Sequence, residues 1–504
     1  MNNPLAGYSK KIILLLFPLA LLEFIFFPST NNIYGICTFG LAWFISTKIV
    51  FEQIDIRDHF IPQIILFIFL CSFFFLPLVI TLTEFKPLTF NMFVPWDVFT
   101  HQLLLVITIS IALRVSANLN MGKALSRFLQ EKTLFFTPPT EKQVWLIGLT
   151  ASFISYIALI TDYGWVSKLM VGFRFLILTP YILIAPQLYG NKKPTKLLFK
   201  LTLWTLIIAS FGIATNSRGT MFMGLVSIVM VSFMNIVFYN MPNIRRKLLV
   251  GILLAIFLSG VTSRFAISML AVRSNRADIS PTELFQQTIA IYNNEEKYTQ
   301  IKKIISQKDV YSLFAYWDET YSDNIILERI GNLKVCDNSI FYSQKVGYNN
   351  SEIRRFLIEK LQSLLPSPIL QVFKINLEKE NTQFSLGDKI YAVYTKNESY
   401  LGGYRVSSFH AALAAFGYSL YPITFASFVI LFSILNCAVI KEQKRYLLSP
   451  LALLLSYEWF NLLNNNGGLQ TILAFVIRGC LQYLVLYSML FFIARLGIPT
   501  TKEK

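Results

Sequence analysis

The stretch IPQIILFIFLCSFFFLPLVITL, residues 61–82, carries no charged side chain and decides the class of fold. A helix of about 20 apolar residues is long enough to cross the hydrocarbon core of a bilayer. The runs at residues 11–27 and 248–270 approach or exceed that length. The 504-residue chain is 54% hydrophobic and only 14% charged, a composition typical of membrane proteins. The sequence therefore predicts an all-α polytopic membrane protein.

Apolar runs of this kind predict about twelve spans. They lie at residues 12–28, 33–50, 61–82, 98–117, 143–162, 168–188, 198–215, 219–238, 247–270, 408–438, 447–463 and 470–494. Lys48 and Glu458 leave two of these runs barely long enough. The first run follows Lys10 and Lys11 as a secretory signal does, but it has no small-x-small cleavage site, so we interpret it as a retained span.

Lysine and arginine gather in alternate connections between the runs, as at residues 192–200 and 245–247. Because basic residues accumulate on the cytoplasmic side, this pattern predicts that both termini are cytoplasmic. It also accounts for the net charge of +17 without nucleic acid as a partner. The predicted organisation is spans 1–9 in residues 1–270, a large outer loop in 271–406 and spans 10–12 in 407–504.

The outer loop is expected to contain amphipathic helices that cover the bundle as a lid. Ser280, Pro281 and Glu283 provide an N-cap, a first-turn proline and a capping-box carboxylate. Two sets of apolar residues then follow helical spacing: Val310, Leu313, Phe314, Trp317 and Tyr321, and later Ile353, Phe356, Leu357, Leu361 and Leu364. Pro366 and Pro368 should end the second helix, and Gly402 and Gly403 should form a hinge.

Seven arginines lie near the predicted outer leaflet, where charged residues are costly and are therefore functional candidates. They are Arg174, Arg218, Arg264, Arg273, Arg276, Arg405 and Arg478. A guanidinium binds phosphate oxygens through two parallel hydrogen bonds, so the set fits a pyrophosphate ligand. The alternative is that each arginine reaches lipid headgroups or pairs locally, as Arg478 would with Glu458.

Among the three histidines, His410 is the candidate catalytic residue. His59 falls in a predicted cytoplasmic loop, and His101 begins the fourth predicted span. His410 lies one turn into the tenth predicted span, after Ser407 or Ser408 as N-cap, where an imidazole can act on a hydroxyl at the membrane surface. An ordinary interfacial histidine is the alternative. Four nearby tyrosines fit either sugar stacking or an interfacial aromatic belt: Tyr391, Tyr394, Tyr400 and Tyr404.

The sequence contains no Walker A loop, no GxGxxG after a strand and no paired-aspartate motif. Its five cysteines show neither a disulfide framework nor zinc spacing. Neither ATP, a nucleotide sugar, a metal ion nor another cofactor is therefore implied.

Two stretches and the order of the spans resemble the bacterial O-antigen polymerase family, the Wzy-type oligosaccharide repeat-unit polymerases. TNSRGTMF at residues 215–222 resembles the family's Ser-Arg-Gly turn between two spans. GDKIYAVY at 387–394, followed by SSFHAALAAFG at 407–417, resembles the end of its large periplasmic loop entering the next span. The late outer loop extends the likeness over most of the chain.

The resemblance implies a GT-C-like fold and a metal-independent glycosyltransferase in the bacterial inner membrane. Lipid-linked oligosaccharide repeat units would be its substrates, and a flippase and a chain-length regulator its protein partners. Arg218 would hold the pyrophosphate of undecaprenyl pyrophosphate. Arg264, Arg273, Arg276, Arg405 and Arg478 are additions from the residues themselves, His410 would be the base, and Glu458 is the alternative base.

Three other functions stay open. An O-antigen ligase would share the fold and the residues and differ only in its acceptor. A repeat-unit flippase also has about twelve spans, but it would place charge through the bilayer midplane rather than near the outer leaflet. A secondary transporter would show matched broken helices in two halves, and the sequence shows none that we recognise.

Overall fold

A computed structural model describes residues 3–119, 121–160, 170–191, 197–239, 259–272, 279–311, 317–324, 327–365, 367–375, 377, 382–442, 445–464 and 468–498. These residues are mostly helical, with almost no sheet. The α-helices of the first half are α1 Pro4–Phe26, α2 Thr30–Ser46, α3 Phe60–Phe74, α4 Leu76–Thr83, α5 Pro95–Asn118, α6 Met121–Lys132, α7 Glu141–Ile160, α8 Leu197–Ala214, α9 Arg218–Tyr239 and α10 Ser259–Ala271.

The second half continues with shorter helices. They are α11 Pro281–Asn293, α12 Glu295–Tyr311, α13 Leu327–Ile330, α14 Lys334–Val346, α15 Ser351–Gln362, α16 Ser367–Val372, α17 Leu386–Thr395, α18 Leu413–Phe416, α19 Leu420–Leu435, α20 Pro450–Leu454, α21 Ser456–Asn464, α22 Gly468–Ala474 and α23 Cys480–Gly497. Short 3-10 or π turns lie at Thr47–Phe51, Arg174–Ile184, Pro186–Tyr189, Glu398–Tyr400, Phe409–Ala412, Gly417–Ser419, Asn436–Ala438 and Phe475–Gly479.

Within the described ranges, seven helices are long and apolar enough to cross a membrane. They are Thr30–Phe51, Phe60–Thr83, Pro95–Asn118, Leu197–Ala214, Gly219–Tyr239, Phe409–Ala438 and Gly468–Gly497. Each overlaps a run that the sequence singled out. The chain is therefore an all-α membrane protein, and the full count of twelve spans stays a prediction.

The sixth predicted span, residues 168–188, contains 3-10 helices where it is described. Pro180 lies inside Arg174–Ile184, and Pro186 begins Pro186–Tyr189. Proline supplies no N–H and clashes with the preceding turn, so a regular α-helix is disfavoured here. Trp204 Nε1 donates to the Ile177 carbonyl at 2.9 Å. A Cβ on Gly148 would lie 2.8 Å from Pro180, so this glycine lets α7 pack closely.

The chain divides into two compact units, each assembled from distant parts of the sequence. Unit 1 comprises Met1–Lys123, Tyr316–Cys437 and Asn461–Leu481. Unit 2 comprises Ala124–Ala315, Ala438–Phe460 and Gln482–Lys504. The sequence-based division at residues 270 and 406 instead separates predicted spans from the predicted outer loop. Compact units do not test that division, so it stays a prediction.

In unit 1, α5 packs against both α2 and α19. A Cβ on Gly35 would lie 2.5 Å from the Phe99 ring, so glycine permits the close approach of α2 and α5. The break between α3 and α4 is stabilised by Trp43, whose Nε1 donates to the Phe74 carbonyl at 3.0 Å. Pro77 supplies no N–H at this break. These contacts form the membrane core of unit 1.

The part of the predicted outer loop, residues 271–406, that belongs to unit 1 docks on the connection between α4 and α5. Tyr321 donates its hydroxyl proton to the Leu88 carbonyl at 2.7 Å, and Asn91 Nδ2 donates to the Thr320 carbonyl at 2.8 Å. The Asp337 carboxylate accepts the backbone N–H groups of Phe93 and Val94 at 2.8–2.9 Å. Buried side chains therefore hold this connection beneath the loop.

The first expected helix is confirmed at Val310, which lies in α12, and is wrong at Trp317 and Tyr321; Leu313 and Phe314 lie outside the described residues. Helix α12 ends at Tyr311, and residues 317–324 are irregular. Side chains satisfy this backbone instead, because Thr320 N–H donates to Asp318 at 2.8 Å and Tyr321 N–H donates to Glu328 at 3.2 Å. Both aromatic side chains are nevertheless buried. The second expected helix is confirmed as α15.

Unit 2 confirms the predicted start of α11. The Ser280 oxygen accepts Glu283 N–H at 3.3 Å, and the Glu283 carboxylate accepts Ser280 N–H at 3.0 Å. The same unit contains a short antiparallel β-hairpin, with strands β1 Val439–Glu442 and β2 Arg445–Leu448. The sequence had predicted only a basic connection there.

Candidate functional site

Ser408 fixes the start of the membrane span that carries His410. Its side-chain oxygen accepts the His410 N–H at 3.3 Å and is the N-cap, which decides between the two serines that the sequence left open. The Ser408 N–H donates to the Ser339 oxygen on α14 at 2.8 Å. His410 thus occupies the second position of the 3-10 turn Phe409–Ala412, and this turn is tied to the outer loop.

The imidazole of His410 is only 1% exposed. Its Nδ1 lies 3.4 Å from the Ser408 oxygen. Its Nε2 is buried without a hydrogen-bond partner among the described residues. A buried polar atom that makes no hydrogen bond costs about 1–3 kcal/mol, so such atoms usually meet a ligand or a water molecule.

His410 lines a small cavity in unit 1, with a volume of about 50 Å³. The polar residues on the wall are Gln102, Glu328, Asn332, Cys336 and Ser408. The apolar residues are Phe69, Phe73, Leu105, Ile330, Val335, Phe409 and Leu463. The wall is thus about half polar, and convergent polar groups of this kind orient small molecules in binding sites.

Gln102 and Cys336 contact each other in the cavity wall, and their environment argues against a nucleophilic role for the Cys336 thiol. The Gln102 Nε2 donates to Cys336 Sγ at 2.7 Å. Burial raises the pKa of the Cys336 thiol to about 12, so the reactive thiolate does not form at neutral pH. Cys336 instead orients the amide of Gln102, whose Oε1 is buried and has no partner among the described residues.

His101 lies beside His410, although the two are far apart in sequence. Their ring centroids are 6.0 Å apart. The His101 Nδ1 forms a hydrogen bond with the Tyr421 hydroxyl, and its ring stacks on those of Tyr421 and Tyr418. The structure therefore places two of the three histidines at one point of unit 1.

Arg405 occupies a buried ion pair just before the His410 turn. Its Nη1 lies 3.2 Å from Asp388 Oδ1, and both side chains are at least 95% buried. The guanidinium also donates to the Tyr400 carbonyl at 2.8 Å and lies 4.1 Å from the centre of the Tyr391 ring. Asp388 in turn accepts the backbone N–H groups of Tyr404 and Arg405. This network fixes the end of the outer loop on α17.

The tyrosines before His410 have different environments. Tyr391 is buried under Arg405 and belongs to the loop core, together with the stacked rings of Trp317 and Tyr342. Tyr394 is 38% exposed and Tyr404 is 76% exposed. The interpretation of these residues as a sugar-stacking group therefore concerns the exposed pair only, and it stays a prediction.

In unit 2, the Ser-Arg-Gly turn connects α8 to α9. Asn216 adopts a φ of +48°, and Ser217 N–H donates to the Gly212 carbonyl at 2.8 Å, which closes the turn. A Cβ on Gly212 would lie 2.4 Å from Met221 N, so α8 and α9 pack tightly at this point. Arg218 begins α9, and its side chain lies outside the described part.

Arg174 meets the same turn. Its Nη2 donates to the Thr220 hydroxyl, which lies 2.7 Å from the Ser217 hydroxyl. Arg174 and Thr220 line a second, very small cavity of about 10 Å³, with Ser152 and apolar residues of the 3-10 helix, α8 and α9. The structure thus brings one of the sequence-predicted arginines to the Ser-Arg-Gly turn.

Arg264 is engaged inside unit 2. Its Nη1 lies 2.7 Å from Glu295, and its Nε donates to the Tyr292 carbonyl at 2.9 Å. The guanidinium also lies 4.8 Å from the centre of the Tyr298 ring. These contacts join α10 to α11 and α12.

The other predicted site residues are dispersed. Glu458 is half-buried on α21, next to Tyr457, whose hydroxyl donates to the Gly219 carbonyl at 3.3 Å. Arg478 is exposed in the π-helical turn Phe475–Gly479 of unit 1. Arg273 and Arg276 lie outside the described residues. In the part of the chain that the structure covers, no group of three or more His, Cys, Asp or Glu side chains is arranged to hold a metal ion.

No protein-family model, no curated protein and no solved structure matches this chain.

Sequence reasoning missed Gln102, Glu328, Asn332 and Cys336 as neighbours of His410. Gln102 gave one weak signal, since it is an uncharged polar residue inside an apolar run. The other three lie in the outer loop, where polar residues are ordinary. Only the tertiary structure brings them to one cavity.

Proposed function

We propose that this protein polymerises oligosaccharide repeat units linked to undecaprenyl pyrophosphate, at the periplasmic face of the bacterial inner membrane. The observation that carries the proposal is the unpartnered Nε2 of His410, buried on a cavity where the outer loop enters a membrane span. A general base must present a free nitrogen to the proton that it removes. The resemblance of residues 215–222 and 387–417 to O-antigen polymerases adds the substrate class.

The proposed step is a displacement at the anomeric carbon of the growing glycan. A hydroxyl oxygen of the incoming repeat unit forms the new C–O bond to that carbon. The bond to the pyrophosphate oxygen breaks, and undecaprenyl pyrophosphate leaves with the electron pair. The hydroxyl proton passes to His410 Nε2, and the Nδ1 proton faces the Ser408 oxygen at 3.4 Å. The leaving group is already activated, so no nucleotide is consumed.

The negative charge on the leaving pyrophosphate requires cationic donors. Arg218 is our first assignment, because it belongs to the Ser-Arg-Gly turn, and Arg264, Arg273, Arg276 and Arg478 are further candidates. Arg264 would have to leave Glu295 to bind phosphate. Arg405, paired with Asp388 and 5% exposed, acts in this proposal by fixing the loop before His410. Glu458 remains the alternative base.

The finer architecture belongs to the same proposal. It comprises twelve spans in a GT-C-like arrangement, cytoplasmic termini and a periplasmic segment at residues 271–406. The basic connections support this topology. Lipid-linked repeat units are the substrates, and a flippase and a chain-length regulator are the expected protein partners.

The test compares His410→Ala with wild type in cells and in vitro. Cells with the variant should display a single repeat unit on the final acceptor and no ladder of longer glycans. Purified His410→Ala enzyme, given lipid-linked repeat units with a chelator and without nucleotide sugar, should form no polymer. His59→Ala, which changes a histidine outside the cavity, is the matched control and should retain wild-type chain lengths.

Other outcomes point to other functions. Long glycan accumulating on undecaprenyl pyrophosphate would indicate a ligase, because polymerisation would continue while transfer failed. Complete loss of surface repeat units would indicate a flippase. Normal polymer from the His410→Ala enzyme would remove His410 from the mechanism and leave Glu458 to be tested.

A further inference from the structure

Two buried polar atoms in the His410 cavity make no hydrogen bond within the described residues. They are Nε2 of His410 and Oε1 of Gln102. The two side chains are 1% and 2% exposed, and both line the same cavity. Each buried polar atom without a hydrogen-bond partner lowers the stability of the folded protein. Two of them in residues that line one cavity indicate a built polar site rather than a packing accident.

Both side chains are held by neighbours on their other polar atoms. Gln102 donates its amide Nε2 to Cys336 Sγ at 2.7 Å. His410 faces the Ser408 oxygen through Nδ1 and is capped by the same oxygen through its backbone. The free atoms therefore belong to groups whose orientation is already fixed, and such preorganisation favours binding.

The chemistry of the cavity favours hydroxyl groups. Gln102 Oε1 is an acceptor, and Nε2 of His410 is an acceptor in the tautomer whose proton lies on Nδ1, the nitrogen that faces the Ser408 oxygen. The described lining residues include the carboxylate of Glu328 and the amide of Asn332 but neither lysine nor arginine. The two unpartnered atoms both accept hydrogen bonds, so an anion would find no donor there, whereas a neutral polyol can donate to both.

We propose that Gln102 and His410 together bind two neighbouring hydroxyls on the terminal sugar of the acceptor repeat unit. The attacking hydroxyl donates to His410 Nε2, and the adjacent hydroxyl donates to Gln102 Oε1. Gln102 is thus a specificity-determining residue, and the ligand is a neutral saccharide with vicinal hydroxyls. This inference rests on the proposed polymerase function, since it assigns the acceptor to the His410 cavity.

The test separates the acceptor from the donor. Purified full-length protein receives saturating lipid-linked repeat units whose attacking hydroxyl is chemically blocked, so that they can act only as donor. The acceptor is a tagged repeat unit on a short alkyl chain, which has no pyrophosphate and therefore cannot act as a donor. Gln102→Leu should raise the acceptor KM roughly 5- to 100-fold, the cost of one lost hydrogen bond in a buried site. The donor KM of Gln102→Leu should stay within about twofold of the wild-type value.

Acceptors that lack single hydroxyls on the terminal sugar identify the contact. With wild-type enzyme, removal of one hydroxyl next to the attacking position should raise KM by a similar factor. With Gln102→Leu, that same acceptor should be used no worse than the complete one. Gln63→Leu is the matched control, because Gln63 is also fully buried in unit 1 but bonds to Asn3; its acceptor KM should not change.

Each result decides a separate point. If wild-type enzyme uses all the single-deoxy acceptors equally well, the cavity holds only water and the inference is overturned, whether or not Gln102→Leu folds. If Gln102→Leu keeps a normal acceptor KM while His410→Ala is inactive, Gln102 is not a binding residue but the polymerase proposal survives. If His410→Ala makes normal polymer, the proposed role of His410 fails first.

Discussion

Lys334 Nζ lies 2.8 Å from Asp337 Oδ2, and both side chains are completely buried within unit 1. The ammonium also lies 3.4 Å from the centre of the Phe93 ring. Burial lowers the pKa of Lys334, and the nearby Asp337 opposes that shift. The pair thus joins α14 to the connection between α4 and α5 at the base of the outer loop.

Removal of one member of this pair should release the loop from the connection. Asp337→Ala leaves a buried ammonium and two backbone N–H groups unpaired, so we expect a loss of roughly 3–5 kcal/mol in the free energy of unfolding. Lys334→Met should cost less, because Asp337 keeps its bonds to Phe93 and Val94. Thermal unfolding in detergent, followed by thiol labelling of the buried Cys336, measures both.

Lys345→Met is the control for that experiment, since Lys345 is exposed near the end of the same helix. It should unfold like the wild type. Equal unfolding temperatures for Asp337→Ala and Lys345→Met would show that the buried pair does not hold the loop.

The Arg405–Asp388 pair distinguishes a structural role from phosphate binding. Arg405→Met alone should abolish polymer, because it leaves the Asp388 carboxylate buried without its cation. The double variant Arg405→Met/Asp388→Asn removes both charges and should regain a substantial part of the activity and stability. Chain-length analysis of surface glycan and unfolding in detergent provide the two measurements. A double variant that folds normally but stays inactive would instead favour pyrophosphate binding by Arg405.

Arg218 should not be replaceable by lysine. A planar guanidinium can form two hydrogen bonds to a pyrophosphate, whereas an ammonium is a point charge on a flexible stem. Arg218→Lys should therefore lose long glycan nearly as fully as Arg218→Ala, at normal protein level. Arg355→Lys, which changes an exposed ion pair with Glu359, should have no effect. Wild-type chain lengths from Arg218→Lys would contradict the bidentate role.

The topology can be tested with reporter fusions. Fusions at Lys196 and Lys444, in basic connections, should report a cytoplasmic position. A fusion at Lys345, in the outer loop, should report a periplasmic position. A cytoplasmic result at Lys345 would place the His410 turn at the wrong face for a periplasmic reaction and would remove the site assignments.

Local features of the sequence determined the class of fold. An uncharged apolar stretch such as residues 61–82 must satisfy its backbone within a helix once it enters lipid, so span identity can be read without tertiary information. The start of α11 was equally local, because Ser280 and Glu283 are three residues apart and bond to each other. A serine cap before His410 was also a local prediction, although only the structure decided for Ser408 over Ser407.

The tertiary structure decided which distant residues come into contact. It also decided where side chains, rather than a helix, satisfy the backbone hydrogen bonds. Trp317 and Tyr321 have helical spacing, yet carboxylates at Asp318 and Glu328 satisfy the backbone there and the segment is irregular. Nothing near Gln102 indicates that its amide shares a cavity with His410, because that approach depends on the packing of α5 and on Cys336 in the outer loop. Hydropathy and capping act over a few residues, whereas the partner of a buried polar atom is set by helices that pack from remote parts of the chain.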